Sequence, residues 1–245
     1  MSRPGVLAAI GGAWAIAVLA QATGNAGLLH HHALIEGGGP LWLTLPLFLL
    51  AWQVMVGAMM LPASLPTIGT FAHATRAVGR PSLMLTTFLV AYAIAWTAFG
   101  LFAFVGDFVL HHVVDVTPWL AARPWLIQSG VLALAGVYQL LPVKNRFQAA
   151  CRHPRDPHAI AAPIVSDGFR YGLEHAYACL GSSWALMLVM FAAGFANLGW
   201  MALLTVVMVY EVVGRHGRSV GLAFGLLLLG WASILLVVGI VGIVG

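Results

Sequence analysis

The chain has 245 residues, of which 61% are hydrophobic and only 7% charged, against about a quarter charged in an ordinary soluble domain. Such a composition cannot furnish a water-facing surface and excludes a soluble globular protein. A net charge of +4 would suit nucleic acid in a soluble protein, but here the basic residues flank apolar runs and read as topology signals, so no nucleic-acid partner is expected.

A bilayer core about 30 Å thick is crossed by about 20 apolar residues in a helix. In chain order such runs occupy 5–23, 41–61, 82–105, 124–142, 171–193, 196–213 and 219–244. They are continuous and lack the alternation of a transmembrane barrel. The first run follows Arg3 in the manner of a signal peptide, yet no small-residue cleavage site follows it, so it reads as a helix. The connection around Asn197 and Gly199 is the tightest. The expected fold is all-α: a polytopic transmembrane helical bundle of about seven spans, forming a single integral membrane domain over 1–245 without internal repeats.

With seven alternating spans, Arg3, Arg76, Arg80, Lys144, Arg146, Arg152, Arg155, Arg170, Arg215 and Arg218 fall on one side and only Arg123 on the other, ten of the eleven basic residues. The positive-inside rule then puts the N-terminus in the cytoplasm and the C-terminus outside. A multi-pass protein of the cell inner (plasma) membrane is expected, with the lipid bilayer as its partner. The loop bearing Lys144, Arg146, Arg152 and Arg155 reads as a solvated segment touching anionic lipid.

This orientation places five of the ten histidines outside. His30, His31, His32 and Glu36 share one external loop, and Asp107, His111, His112 and Asp115 another. Asp107, His111 and Asp115 are spaced four apart, so a helical extension lines them on one face, with imidazole and carboxylate donors suited to a divalent transition metal. Solvated polar caps at the interface are the plainer reading of the same residues.

A second constellation lies at the inner leaflet, where ionisable side chains within a membrane point to function. Glu174 and His175 open the fifth span; His175 and Cys179 share a face, continued by Ser182 and Ser183. Met55 and Met59 share a face of the second span, and Tyr138, Gln139 and Glu211 reach a similar depth. Thiolate, thioether and imidazole together suit Cu(I). Met also fills gaps and polar groups also bond helix to helix, so packing is the competing reading. Cys151 and Cys179 stand in different settings and do not suggest a disulfide framework. The Cys151-Arg152-His153-Pro154 string offers a further thiol and imidazole.

The stretches Trp52 to Pro62 with its Ala-Met-Met-Leu-Pro ending, Gly136 to Pro154, and Gly172 to Met201 with Cys-Leu-Gly-Ser-Ser-Trp-Ala-Leu-Met resemble a bacterial family of predicted metal-binding integral membrane proteins, a domain family of unknown function. The likeness spans about two-thirds of the chain. His175, Cys179 and Cys151 match positions of that family, whose members usually carry Cys where this chain has Ser182, Ser183 and Phe147. The resemblance implies the membrane fold and a metal-related role.

The leading function is thus handling of a transition metal, copper foremost: an external site of His30, His31, His32, Asp107, His111, His112 and Asp115, and an inner cluster of Met55, Met59, Glu174, His175 and Cys179. The alternative is a non-catalytic accessory or assembly subunit associated with other membrane subunits. A haem or quinone enzyme ranks last, because no facing histidine pair is evident at one depth. No catalytic residues or nucleotide-binding loop are found, so an enzyme or an ATP-driven pump is not expected.

Overall fold

The computed structural model describes residues 3–23, 40–77, 80–156, 165–193 and 197–244. Among these, all regular structure is helical: α1 (Arg3–Ala22), α2 (Leu41–Ala74) with a 3-10 turn (Thr75–Ala77), α3 (Pro81–Asp115), α4 (Pro118–Ala121), α5 (Pro124–Leu140), α6 (Pro142–Arg152), α7 (Val165–Ala193), α8 (Leu198–Val213) and α9 (Gly217–Val244). Each of the seven expected segments coincides with a helix. The short α4 and the polar α6 were not among them.

α1, α2, α3 and α9 are each long and apolar enough to cross a membrane, and α5 with α6 would count as one further span bent by 67°. α8, at 16 residues, is shorter. α7 carries Asp167, Arg170 and Glu174 in its first three turns and is uncharged from His175 onward.

Proline begins several of these helices. Pro81, Pro118, Pro124 and Pro142 each sit in the first turn of theirs, where the missing N–H is not needed and the fixed φ is already helical. Pro142 also sets the break between α5 and α6: the residue before a proline is driven out of the helical region, and Leu141 is extended at φ −72°, ψ 139°. α6 therefore folds back against α7 and α8. Its buried stripe is Lys144, Gln148 and Cys151, a helical spacing with polar residues on the inward face.

α5 packs most extensively on α9, and α3 on α7. Glycines allow both approaches: Gly136 and Gly225 face each other's backbone across the first pair, and Gly168 and Gly172 lie against the Met84 and Phe88 backbone across the second. Small residues at such crossings let helices close up without a driving force from water. α2 contacts α1, α3 and α8. Its buried face brings Met60 and Ser64, one turn apart, into the interior.

Candidate metal centre

Where α2, α3, α6, α7 and α8 converge, two polar constellations meet. The first runs from His175 to Cys179 through neighbouring helices. His175 Nε2 lies 3.0 Å from Ser64 Oγ, the Ser64 hydroxyl donates to the Tyr92 hydroxyl at 3.2 Å, and the Tyr92 oxygen lies 3.2 Å from Cys179 Sγ. The imidazole stacks against the rings of Phe88 and Tyr92, each centroid 5.9 Å away. Its Nδ1 is buried and has no hydrogen-bond partner among the described residues.

Cys179 and Cys151 are both buried free thiols, on helices α7 and α6, which pack against each other. Cys151 Sγ lies 3.8 Å from Ser182 Oγ. The hydroxyls of Ser182 and Ser183 donate to the Cys179 carbonyl at 2.8 and 2.7 Å, the local bond that serine makes within a helix. The Ser183 hydroxyl also lies 3.5 Å from Met60 Sδ. Cys179, Ser182, Ser183, Met60, Met208 and Glu211 border one cavity of about 10 Å³, room for a single small occupant.

The second constellation borders the same cavity. Glu211 on α8 pairs with Lys144 of α6 at 2.6 Å, each almost without solvent exposure, and accepts from Gln139 at 2.9 Å. The Glu211 carbonyl accepts from Gln148 and from the guanidinium of Arg152, which also donates to the Gly214 carbonyl. Burial pushes the Lys144 ammonium below its ordinary range, and the Glu211 carboxylate draws it partly back. The expectation that Lys144 and Arg152 lie in a solvated loop is corrected here. A net run of basic residues hides which of them turn inward, and α6 turns these two toward Glu211.

Of the residues expected at the inner leaflet, His175 and Cys179 belong to one hydrogen-bonded chain, two intermediaries apart. Gln139 and Glu211 bond to each other, while Tyr138 donates to the Gly181 carbonyl. Met55 and Met59 are buried in the main apolar core, and the methionines at the cavity are Met60 and Met208. Glu174 is exposed and paired with Arg155 at 3.6 Å and Arg170 at 3.2 Å. Among the external candidates, α3 does continue as a helix to Asp115. His111 Nδ1 sits 2.9 Å from the Asp107 carbonyl and 3.6 Å from its Oδ1, and His112 and Asp115 are exposed. His30, His31, His32 and Glu36 lie outside the described residues.

Ser64, Tyr92, Met60, Met208 and Lys144 were not singled out from sequence. Met60 and Ser64 carried a faint signal, being one turn apart in a helix that is otherwise apolar between them. Among the described residues no three of His, Cys, Asp and Glu stand close enough together to hold a metal ion; the sulfur atoms bordering the cavity are those of Cys179, Met60 and Met208.

A family model for copper chaperones, PpoB2, matches residues 49–235. The chain belongs to that family. The match spans α2 to α9 and contains every stretch on which the resemblance to a metal-related family rests. No curated protein and no solved structure matches the chain. Within this copper chaperone family member, Phe147 lies on α6 one turn before Cys151 and packs over Gly181 and against Tyr177, with centroids 5.4 Å apart. An aromatic ring thus occupies the space beside α7 where relatives of the resembling family usually carry a thiol.

Proposed function

We propose that this chain is a membrane-embedded copper handler that holds Cu(I) between the thiolates of Cys151 and Cys179, with the thioethers of Met60 and Met208 beside them. The observation that carries this reading is the gathering of sulfur from α2, α7 and α8 around one small cavity, with Cys151 of α6 3.8 Å from Ser182, which lines it, within a chain of a copper chaperone family. Soft sulfur ligands select Cu(I) over the harder divalent ions. Thiols bind as thiolates, so loading releases protons. Two thiolates and one Cu(I) leave a single negative charge; with Lys144 paired to Glu211, Arg152, on the same helix as Cys151, is the positive charge that offsets it.

The proposed setting is a bundle of seven spans in the inner membrane, N-terminus inside, with this cavity toward the cytoplasm. Support comes from the apolar helices and from the one-sided distribution of basic residues. Asp107, His111, His112 and Asp115, joined by His30, His31 and His32, form the proposed receiving site at the other end. The unbroken course of α3 and the closeness of His111 to Asp107 support it.

The test is a Cu(I) competition titration of the purified protein in detergent under reducing conditions, against a chromophoric Cu(I) chelator. One Cu(I) per chain is expected, with occupancy lost in C179S and C151S. Equal occupancy in the wild type and both variants would remove the dithiol site.

A further inference from the structure

Beside the dithiol cavity, at the α6–α7 end, lies a second and more open cavity of about 170 Å³. Its polar lining is His153, Arg155, Tyr171, Glu174 and His175, and its apolar lining includes Ala150 and Ala178, the immediate chain neighbours of Cys151 and Cys179. Of the residues described above, His175, Glu174 and Arg155 border this cavity, and the dithiol site leaves it unused. We propose that it is a port in which His175 Nδ1 and His153 first take up Cu(I), before the ion passes to Cys179 and Cys151. The inference rests on the dithiol reading and adds the route to it.

The orientation of His175 carries the argument. The Ser64 proton is directed at Tyr92, so the Ser64 oxygen accepts from His175 Nε2–H. That bond fixes the tautomer and leaves the lone pair on Nδ1. Phe88 and Tyr92 stack against the ring and hold its plane. An imidazole whose far nitrogen donates to a fixed partner is the usual form of a histidine metal ligand. Nδ1 is buried and without a partner among the described residues, on a residue 4% exposed that lines the port. Leaving such a nitrogen unsatisfied is unfavourable, and a bound cation would satisfy it.

The second imidazole is supplied by the chain itself. His153 caps the C-terminal end of α6, is exposed, and stands two residues after Cys151, while His175 stands one helical turn before Cys179. Each imidazole is therefore tethered next to one thiol. Glu174 is engaged by Arg155 and Arg170, so the port offers nitrogen donors flanked by a neutralised carboxylate. Transfer is ligand exchange: Cu–N bonds break as Cu–S bonds form, the two thiol protons leave to water in the port, and copper remains Cu(I) throughout.

The experiment follows uptake of Cu(I) by the full-length protein in detergent, from a Cu(I)–bicinchoninate complex, by stopped-flow absorbance, together with the final stoichiometry. H175Q and H153A are expected to load about tenfold or more slowly while reaching wild-type stoichiometry. S64A should slow loading as well, and S64T should restore it, a rescue that a purely space-filling role for Ser64 does not require. In C151S/C179S, one weak Ag(I) site should persist and disappear on adding H175Q. Wild-type loading rates in both histidine variants, or no Ag(I) binding by C151S/C179S, would overturn the port alone. H153A, at an exposed position, keeps the rate test decisive if H175Q fails to fold. A wild type that takes up no Cu(I) would overturn the dithiol reading, and the port with it.

Discussion

Lys144 and Glu211 meet at 2.6 Å with their side chains almost wholly shielded from solvent, and this contact fastens α6 to α8. Removing one member of such a pair leaves a buried charge uncompensated. K144M should therefore destabilise the protein by about 3–5 kcal/mol, whereas K144M/E211L, which removes both charges, should recover most of that loss. Thermal unfolding of the purified variants in one detergent checks this. Equal losses in the single and double variants would show that the ion pair is not what fastens α6.

Ser182 and Ser183 stand beside Cys179 at the cavity, Ser182 within 3.8 Å of the Cys151 sulfur. Replacing a hydroxyl there by a thiol adds a soft ligand without changing the shape of the cavity much. S182C is expected to tighten Cu(I) binding by about 1.4 kcal/mol or more, a tenfold fall in Kd. An unchanged Kd would mean that a third sulfur cannot reach the ion.

The close crossing of α3 and α7 gives a sharper packing test. A Cβ at Gly172 would run into the Phe88 backbone, which cannot yield as a flexible side chain can. G172A should cost about 1–3 kcal/mol, despite the better helix propensity of Ala. The same change at Gly230, which has open space around it, should be neutral or slightly stabilising. Melting temperatures of the two variants compared with wild type decide it.

The proposed orientation can be read from labelling. Both native cysteines are buried, so the wild type should react little with a membrane-impermeant maleimide. In intact spheroplasts a cysteine introduced at Leu34 should label, and one at the exposed Ala149 of α6 should label only after the membrane is opened. The reverse pattern would invert the topology.

If the external residues receive copper, H111A/H112A should slow copper uptake by cells while leaving in vitro Cu(I) binding at the dithiol unchanged. Identical uptake by the variant and the wild type would leave those residues as polar caps.

The helical fold was legible because bilayer-length apolar runs and proline-marked helix starts are both local signals. The continuation of α3 to Asp115 goes beyond the expected span 82–105, since the four-residue spacing of Asp107, His111 and Asp115 showed only what a helical extension would align. The partner of Cys179 was not legible. Cys151 is separated from it by a stretch that includes the charged residues around Arg155, and only the bend at Leu141 folds that segment inward. Choosing Met59 over Met60 was a matter of helical phase: neighbouring residues point about 100° apart, and an apolar helix buried on several sides offers no polar stripe to set the phase. Ser64 and Tyr92 were likewise invisible, since a serine or tyrosine in an apolar run acquires meaning only when its hydrogen-bond partner on another helix is known.

The reversal at Leu141 also sets an order of events during synthesis. α6 leaves the ribosome ahead of α7 and α8, and Arg152 must wait 59 residues for the Glu211 carbonyl it binds. Until α8 is made, the inward stripe of Lys144, Gln148 and Cys151 has chiefly α7 to close against. The sulfur cavity is accordingly closed only once α8 is made, and a nascent chain halted before α8 has both thiols but no enclosed place for copper.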